Sequence, residues 1–148
     1  INTDRIRVHG RSFRGFMTTN LMSTYPDVLQ VGVTGGPVID WRVNEVLYGE
    51  HSMDTPQENP EGYASSSLLT KTKHRKGRLQ VIVGYNYRTC LLQHRLAFLR
   101  ACEDAGVQPD YFVYHVQDHN MMGKDMIHLH ERITRYFDDY LKGGCPAR

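Results

Sequence analysis

The sequence predicts an α/β fold, a mostly parallel sheet with helices on both faces, and three observations predict it. Strand-like and helix-like apolar clusters alternate four times along the 148 residues, the order produced by parallel strands joined through crossover helices. Leu79-Gln80-Val81-Ile82-Val83 is a short, almost continuous apolar run, as expected of a strand buried on both faces. Met126, Leu129, Ile133, Tyr136, Phe137 and Tyr140 recur at helical spacing and mark a long final amphipathic helix.

In chain order, Ile6-Arg7-Val8 alternates as a short strand and Gly10 follows at once. A helix is predicted from Ser12 to about Thr24, with Phe16, Met17, Leu21 and Met22 on one side. Val28 to Thr34 is a second strand, closed by Gly35-Gly36-Pro37. Trp41 to Gly49 has the length of a short helix. Residues 51–77 are polar, carry Pro56 and Pro60, and are expected to form a loop with one helical turn at Ser65 to Thr70. After the 79–83 strand, Leu92, Leu96, Leu99 and Cys102 or Glu103 mark a helix that stops at Gly106. Asp110 to Val116 is the last strand, and the final helix ends at Gly143-Gly144. One domain over residues 1–143 and a tail over 144–148 follow from this pattern.

The bulk numbers narrow the function. A hydrophobic share of 40% and a charged share of 23% are ordinary for a globular chain. A formal charge of +2 gives no reason to expect nucleic acid or a membrane surface. The basic run Lys71 to Lys76 is local, and is expected to be a solvated connection between loop and strand. Cys90, Cys102 and Cys145 are odd in number and fit no metal knuckle or paired framework. No run is apolar for long enough to span a bilayer. There is no signal segment, and the start at Ile1 rather than Met leads to the expectation of a preceding piece. His115, His119, His128 and His130 could suggest a metal site. His128 and His130 lie two apart on a helix and face different ways, so no metal and no cofactor is expected.

The chemistry is carried by His9-Gly10-Arg11-Ser12-Phe13-Arg14-Gly15, between the first strand and helix. A serine on a sharp strand-to-helix turn is the nucleophile elbow of the α/β-hydrolases. The strand and helix backbones pass close there, so the residues two before and two after the serine must be small. Gly10 meets that demand, whereas position 14 is arginine and the glycine comes one place late, at Gly15. Taken locally, Ser12 also fits an ordinary helix N-cap. The wider order decides for the elbow. A hydrolase triad runs Ser, then Asp or Glu, then His. Here strand 79–83 leads into Gly84-Tyr85-Asn86-Tyr87-Arg88, and the last strand leads into Gln117-Asp118-His119-Asn120.

These residues resemble the C-terminal catalytic domain of the prolyl oligopeptidase family, in its dipeptidyl peptidase IV and prolyl tripeptidyl peptidase branch. The resemblance spans nearly the whole chain. It rests on Asp4-Arg5-Ile6 through Phe13, Phe16 to Met22, Gly35-Gly36-Pro37-Val38-Ile39-Asp40-Trp41, Tyr48-Gly49-Glu50, Pro56 to Tyr63, Gln93-His94, His119-Asn120 and Ile133 to Phe137. It implies the C-terminal part of an α/β-hydrolase fold and a serine exopeptidase that cleaves after proline near a peptide's free N-terminus, in a periplasmic or secreted setting. Ser12 would be the nucleophile, His119 the base, and Phe13 a backbone donor to the oxyanion hole. Val38, Trp41, Asn44 and Tyr48 would line the proline pocket.

The resemblance also exposes departures. The family acid falls on Tyr87, which is neutral at pH 7 and cannot support an imidazolium as a carboxylate does. Asn44 stands where the family has a second pocket tyrosine, and Arg14, if buried at the elbow, would strain or open the turn. An inactive or impaired peptidase is therefore expected of this fragment, with a non-catalytic hydrolase-fold relative used for binding or assembly as the alternative. The family further implies an N-terminal half-sheet and a β-propeller. Without them the Ile6–Val8 strand has an unpaired side, so a homo-oligomer or domain exchange is expected. The implied partner otherwise is the peptide substrate.

Overall fold

The structure is a computed structural model, and it describes residues 5–44, 46–85, 92–118 and 120–141. The elements are β1 (Arg7–Arg11), α1 (Phe13–Thr24), β2 (Val31–Gly35), α2 (Val46–Met53), α3 (Pro60–Ser66), β3 (Arg78–Gly84), α4 (Leu92–Asp104), β4 (Asp110–Tyr114) and α5 (Lys124–Leu141). Short 3-10 turns cover Trp41–Val43, Leu68–Thr70 and Thr72–His74. The strands form one sheet in the order β1-β2-β3-β4, and all three pairings are parallel.

The two-residue repeat of the strands divides the core between two faces. Leu79, Val81 and Val83 pack with Phe16 and Met22 of α1 and Phe98 and Cys102 of α4. Ile82, with Val31, Val33 and Tyr114, packs instead with Ile133, Tyr136 and Phe137 of α5. This is the predicted parallel sheet covered on both sides. Each of these large side chains contributes about 1.5–3 kcal/mol by leaving water. Replacing Ile133 with alanine would cost about 2–5 kcal/mol, from the lost burial and the cavity left behind.

Several boundaries differ from the sequence pattern, each for a local reason. β2 begins at Val31 rather than Val28, because the N–H groups of Val28 and Leu29 donate to Tyr25 O at the end of α1. β4 stops at Tyr114, two residues before Val116. The stretch Trp41 to Gly49 is a 3-10 turn followed by α2, which continues to Met53. The expected 51–77 loop contains a real helix, α3, capped by the Asn59 side chain accepting from Gly62 N–H, with Pro60 in its first turn. The basic run is not wholly solvated. Arg75 is buried with its guanidinium on Gly77 O, and Lys71 Nζ donates to Asn20 Oδ1.

Among the described residues β1 pairs on one side only, with β2, so its outer edge offers unpaired backbone groups. Among the same residues no helix is long and apolar enough to cross a membrane. The predicted stop at Gly143-Gly144 and the 144–148 tail lie outside the described residues.

Candidate active site

Ser12 occupies the single residue between β1 and α1, at the C-terminal end of the sheet, where open parallel sheets place their ligands. Its backbone is at φ 59°, ψ −124°, and its side chain makes no capping hydrogen bond. A non-glycine residue in that region carries about 1–3 kcal/mol of strain, and an ordinary serine N-cap has neither feature. The geometry therefore favours the elbow reading of the sequence over the cap. The turn is held shut because Ser12 N–H donates to Gly35 O at 2.8 Å and Phe16 N–H donates to Ser12 O at 3.0 Å.

The glycines explain how the turn tolerates Arg14. A Cβ on Gly10 would lie 2.3 Å from Arg14 O and 2.8 Å from Arg14 Cβ. The bare Gly10 thus makes room for the residue that faces it, and the Arg14 side chain is exposed. Arg14 is therefore not buried, and the condition under which it was expected to strain or open the turn is not met. Gly15 has a separate duty. A Cβ there would meet Thr34 Oγ1 at 2.7 Å and Gly35 O at 3.0 Å, and Thr34 Oγ1 donates to Gly15 O at 2.9 Å. The late glycine is a point of close contact between α1 and β2.

Phe13 is the first residue of α1. Its N–H has no intrahelical acceptor and adds to the partial positive charge of the helix N-terminus, which suits a developing oxyanion. The Phe13 ring begins an aromatic wall. Its centroid is 6.0 Å from Phe16 and 6.0 Å from Trp41. Trp41 meets Phe16 edge-on at 5.3 Å and stacks on Tyr48 at 5.7 Å with 16° between the planes. Val38 is buried in the same cluster. Asn44 closes the 3-10 turn after Trp41, its N–H donating to Trp41 O at 3.4 Å. Trp41 is 6% exposed and Tyr48 53%, so the wall has a fixed base and an open rim.

The loop between β4 and α5 also reaches this end of the sheet. Residues 117–118 cross directly over Gly84, where a Cβ would lie 2.4 Å from Gln117 O and 2.6 Å from Asp118 O. Arg11, the residue before Ser12, donates through Nη2 to Asn120 Oδ1. The segments flanking position 119 are therefore brought to the elbow. His119 itself lies outside the described residues, as do Asn86 and Tyr87. Below the loop, on the α5 face, is a cavity of about 220 Å³ lined by His9, Arg11, Gly84, Asp118, Met126 and His130, among others. Burial, and then the nearby His130, lower the pKa of His9. His128 turns away from this cavity, its Nδ1 2.7 Å from the Tyr114 hydroxyl.

Sequence reading missed two buried charges here. Arg95 is fully buried in α4 and donates to Gly84 O at 2.9 Å, at the end of β3. Asp40 is buried beside Trp41 and holds Arg42 and Ser67. Single charged residues in mixed segments carry no burial signal, so nothing in the sequence marks either.

Residues 1–144 match the model of the prolyl oligopeptidase family. The chain is 32% identical over 124 residues to the probable dipeptidyl-aminopeptidase B of Talaromyces marneffei, covering 82% of this chain and 14% of that protein. It is 28% identical over 147 residues to the corresponding protein of Aspergillus oryzae, covering 97% and 16%. A solved candidate dipeptidyl aminopeptidase IV from Bacteroides ovatus superposes with a TM-score of 0.92 at 51% identity, over 95% of this chain and 20% of that one. Porphyromonas gingivalis dipeptidyl peptidase 4 gives 0.90 at 29% identity, with the same coverage. The chain thus spans a fifth or less of these relatives' lengths, and its fold is that of their α/β-hydrolase domains. The chain belongs to the prolyl oligopeptidase family.

Proposed function

We propose that this chain is part of a serine-type exopeptidase that cleaves after proline near the free N-terminus of peptides, and that its turnover is impaired. The observation that carries the reading is Ser12, held at φ 59° between strand and helix with its side chain uncommitted to a cap. In this reading Ser12 Oγ attacks the carbonyl carbon while His119 accepts its proton and later passes it to the leaving amine. The Phe13 N–H and the α1 N-terminus stabilise the oxyanion. Val38, Trp41, Asn44 and Tyr48 surround the residue before the cleaved bond, and an apolar aromatic wall suits a proline ring, which presents no donor. The dipeptidyl-aminopeptidase names of the relatives support the same class.

The impairment follows from Tyr87 in the acid's place. A neutral phenol leaves the imidazolium without a carboxylate, at a cost of about four orders of magnitude in turnover. Tyr87 also favours the second reading, a relative that keeps the fold for binding or assembly. The exposed edge of β1 supports a further part of the proposal, a covering strand supplied by more of the same protein or by a second copy.

Release of p-nitroaniline from Ala-Pro-p-nitroanilide tests the reading, with the wild type and Tyr87→Asp compared in the full-length protein. A slow wild type accelerated by orders of magnitude in Tyr87→Asp is expected. No product from either would favour the non-catalytic relative.

A further inference from the structure

Asp40 stands directly before Trp41 and is 3% exposed. Its carboxylate accepts from Arg42 N–H at 3.0 Å, from Arg42 Nε at 2.9 Å, from Arg42 Nη2, and from the Ser67 hydroxyl at 2.8 Å. Burying a charge is costly unless donors surround it, and here they do. An apolar residue of similar size commonly stabilises a core as well or better, so a buried carboxylate is better explained by a geometry that it fixes.

That geometry is specific. The Arg42 N–H bond caps the 3-10 turn Trp41–Val43. The Ser67 bond fastens the same turn to the start of the Leu68–Thr70 turn, where Leu68 N–H donates to Ile39 O at 2.9 Å. The turn is thereby tied both to itself and to a segment 27 residues further on. The side chain it carries into the site is Trp41, the ring shared by the Phe13, Phe16 and Tyr48 contacts.

We propose that Asp40, through Ser67 and Arg42, is a positioning residue that fixes the Trp41 ring in the wall beside Ser12 and so sets selectivity for the side chain before the cleaved bond. The inference rests on the peptidase reading, because the wall has something to select only if a peptide lies against Ser12. Trp41 would touch the substrate and Asp40 would not. Loosening the clamp therefore changes which residue is preferred, rather than the chemical step.

The test is calorimetric binding of two dipeptides, Ala-Pro and Ala-Ala, to the full-length protein as wild type, Ser67→Ala, Asp40→Asn and Tyr136→Phe. Tyr136 donates to Asp110 Oδ2 at 2.7 Å, and its ring packs in the α5-side core. Its variant is a control that loosens the fold without touching the wall. The wild type should prefer Ala-Pro. Ser67→Ala should lower that preference by about tenfold, the low end for a lost contact in an apolar pocket. Asp40→Asn should lower it further, and Tyr136→Phe should leave it unchanged. A wild type that prefers Ala-Pro beside a Ser67→Ala variant with the same preference overturns the positioning role while the peptidase reading stands. A wild type without preference overturns both. Should Asp40→Asn fail to fold, Ser67→Ala decides alone.

Discussion

Replacing Ser12 with glycine removes the Cβ that makes its backbone conformation costly. At φ 59°, ψ −124° a serine stores about 1–3 kcal/mol. Glycine enters that region freely, but it gives back about 0.5–1 kcal/mol through the greater freedom of the unfolded chain. The serine side chain makes no cap bond that would be lost. The balance is a net stabilisation of up to about 2.5 kcal/mol, which for a domain of this size raises Tm by up to about 8 °C. Ser12→Ala keeps the Cβ and hence the strain, and should stay within about 0.5 kcal/mol of the wild type. Calorimetric unfolding of the three proteins measures the difference. If Ser12→Gly melts at or below Ser12→Ala, the strain assigned to the elbow does not exist, and the case against a plain N-cap falls with it.

Three other outcomes follow from the same geometry. Gly84→Ala would place a Cβ 2.4 Å from Gln117 O, and the displaced loop should lower Ala-Pro-p-nitroanilide turnover by about 10²-fold, the scale of a 1 Å misplacement. Burial pushes the Cys102 thiol up to about 11, so iodoacetamide should leave it unmodified at pH 8 in the native protein and modify it in urea, as read by peptide mass. Burial alone would raise the Asp40 carboxyl, but the hydrogen bonds from Arg42 and Ser67 outweigh it and hold its pKa below the ordinary 3.8. Its stabilising contribution is therefore complete above that value and is lost as pH falls through the depressed one. Acid unfolding should begin at higher pH in Ser67→Ala than in the wild type.

Much of the fold was legible because periodicity reports burial directly. The alternation of Leu79, Val81 and Val83 against Ile82 maps onto the two core faces, and Ile133, Tyr136 and Phe137 all point into the sheet from α5. The 51–77 stretch was harder. α3 is only seven residues long, too short for a periodic stripe, although Asn59-Pro60 is a recognisable start signal. At the site, Gly10 and Ser12 stood out because a sharp turn demands those residue types. The exposure of Arg14 did not, since it depends on which way α1 leaves the turn. Gly15 seemed misplaced in sequence because its partner, Thr34, is a tertiary neighbour. The Asp40 clamp pairs residues 27 apart, and no local rule joins an aspartate to so distant a serine.

The proposed role of Ser12, a nucleophile presented by a strained turn, is tested most directly by reaction of the full-length protein with a fluorophosphonate probe, followed by peptide mapping. A slow but stoichiometric adduct on Ser12, absent in Ser12→Ala and faster in Tyr87→Asp, is the predicted result. A wild type and a Tyr87→Asp variant that are both folded and both unlabelled at Ser12 would contradict it.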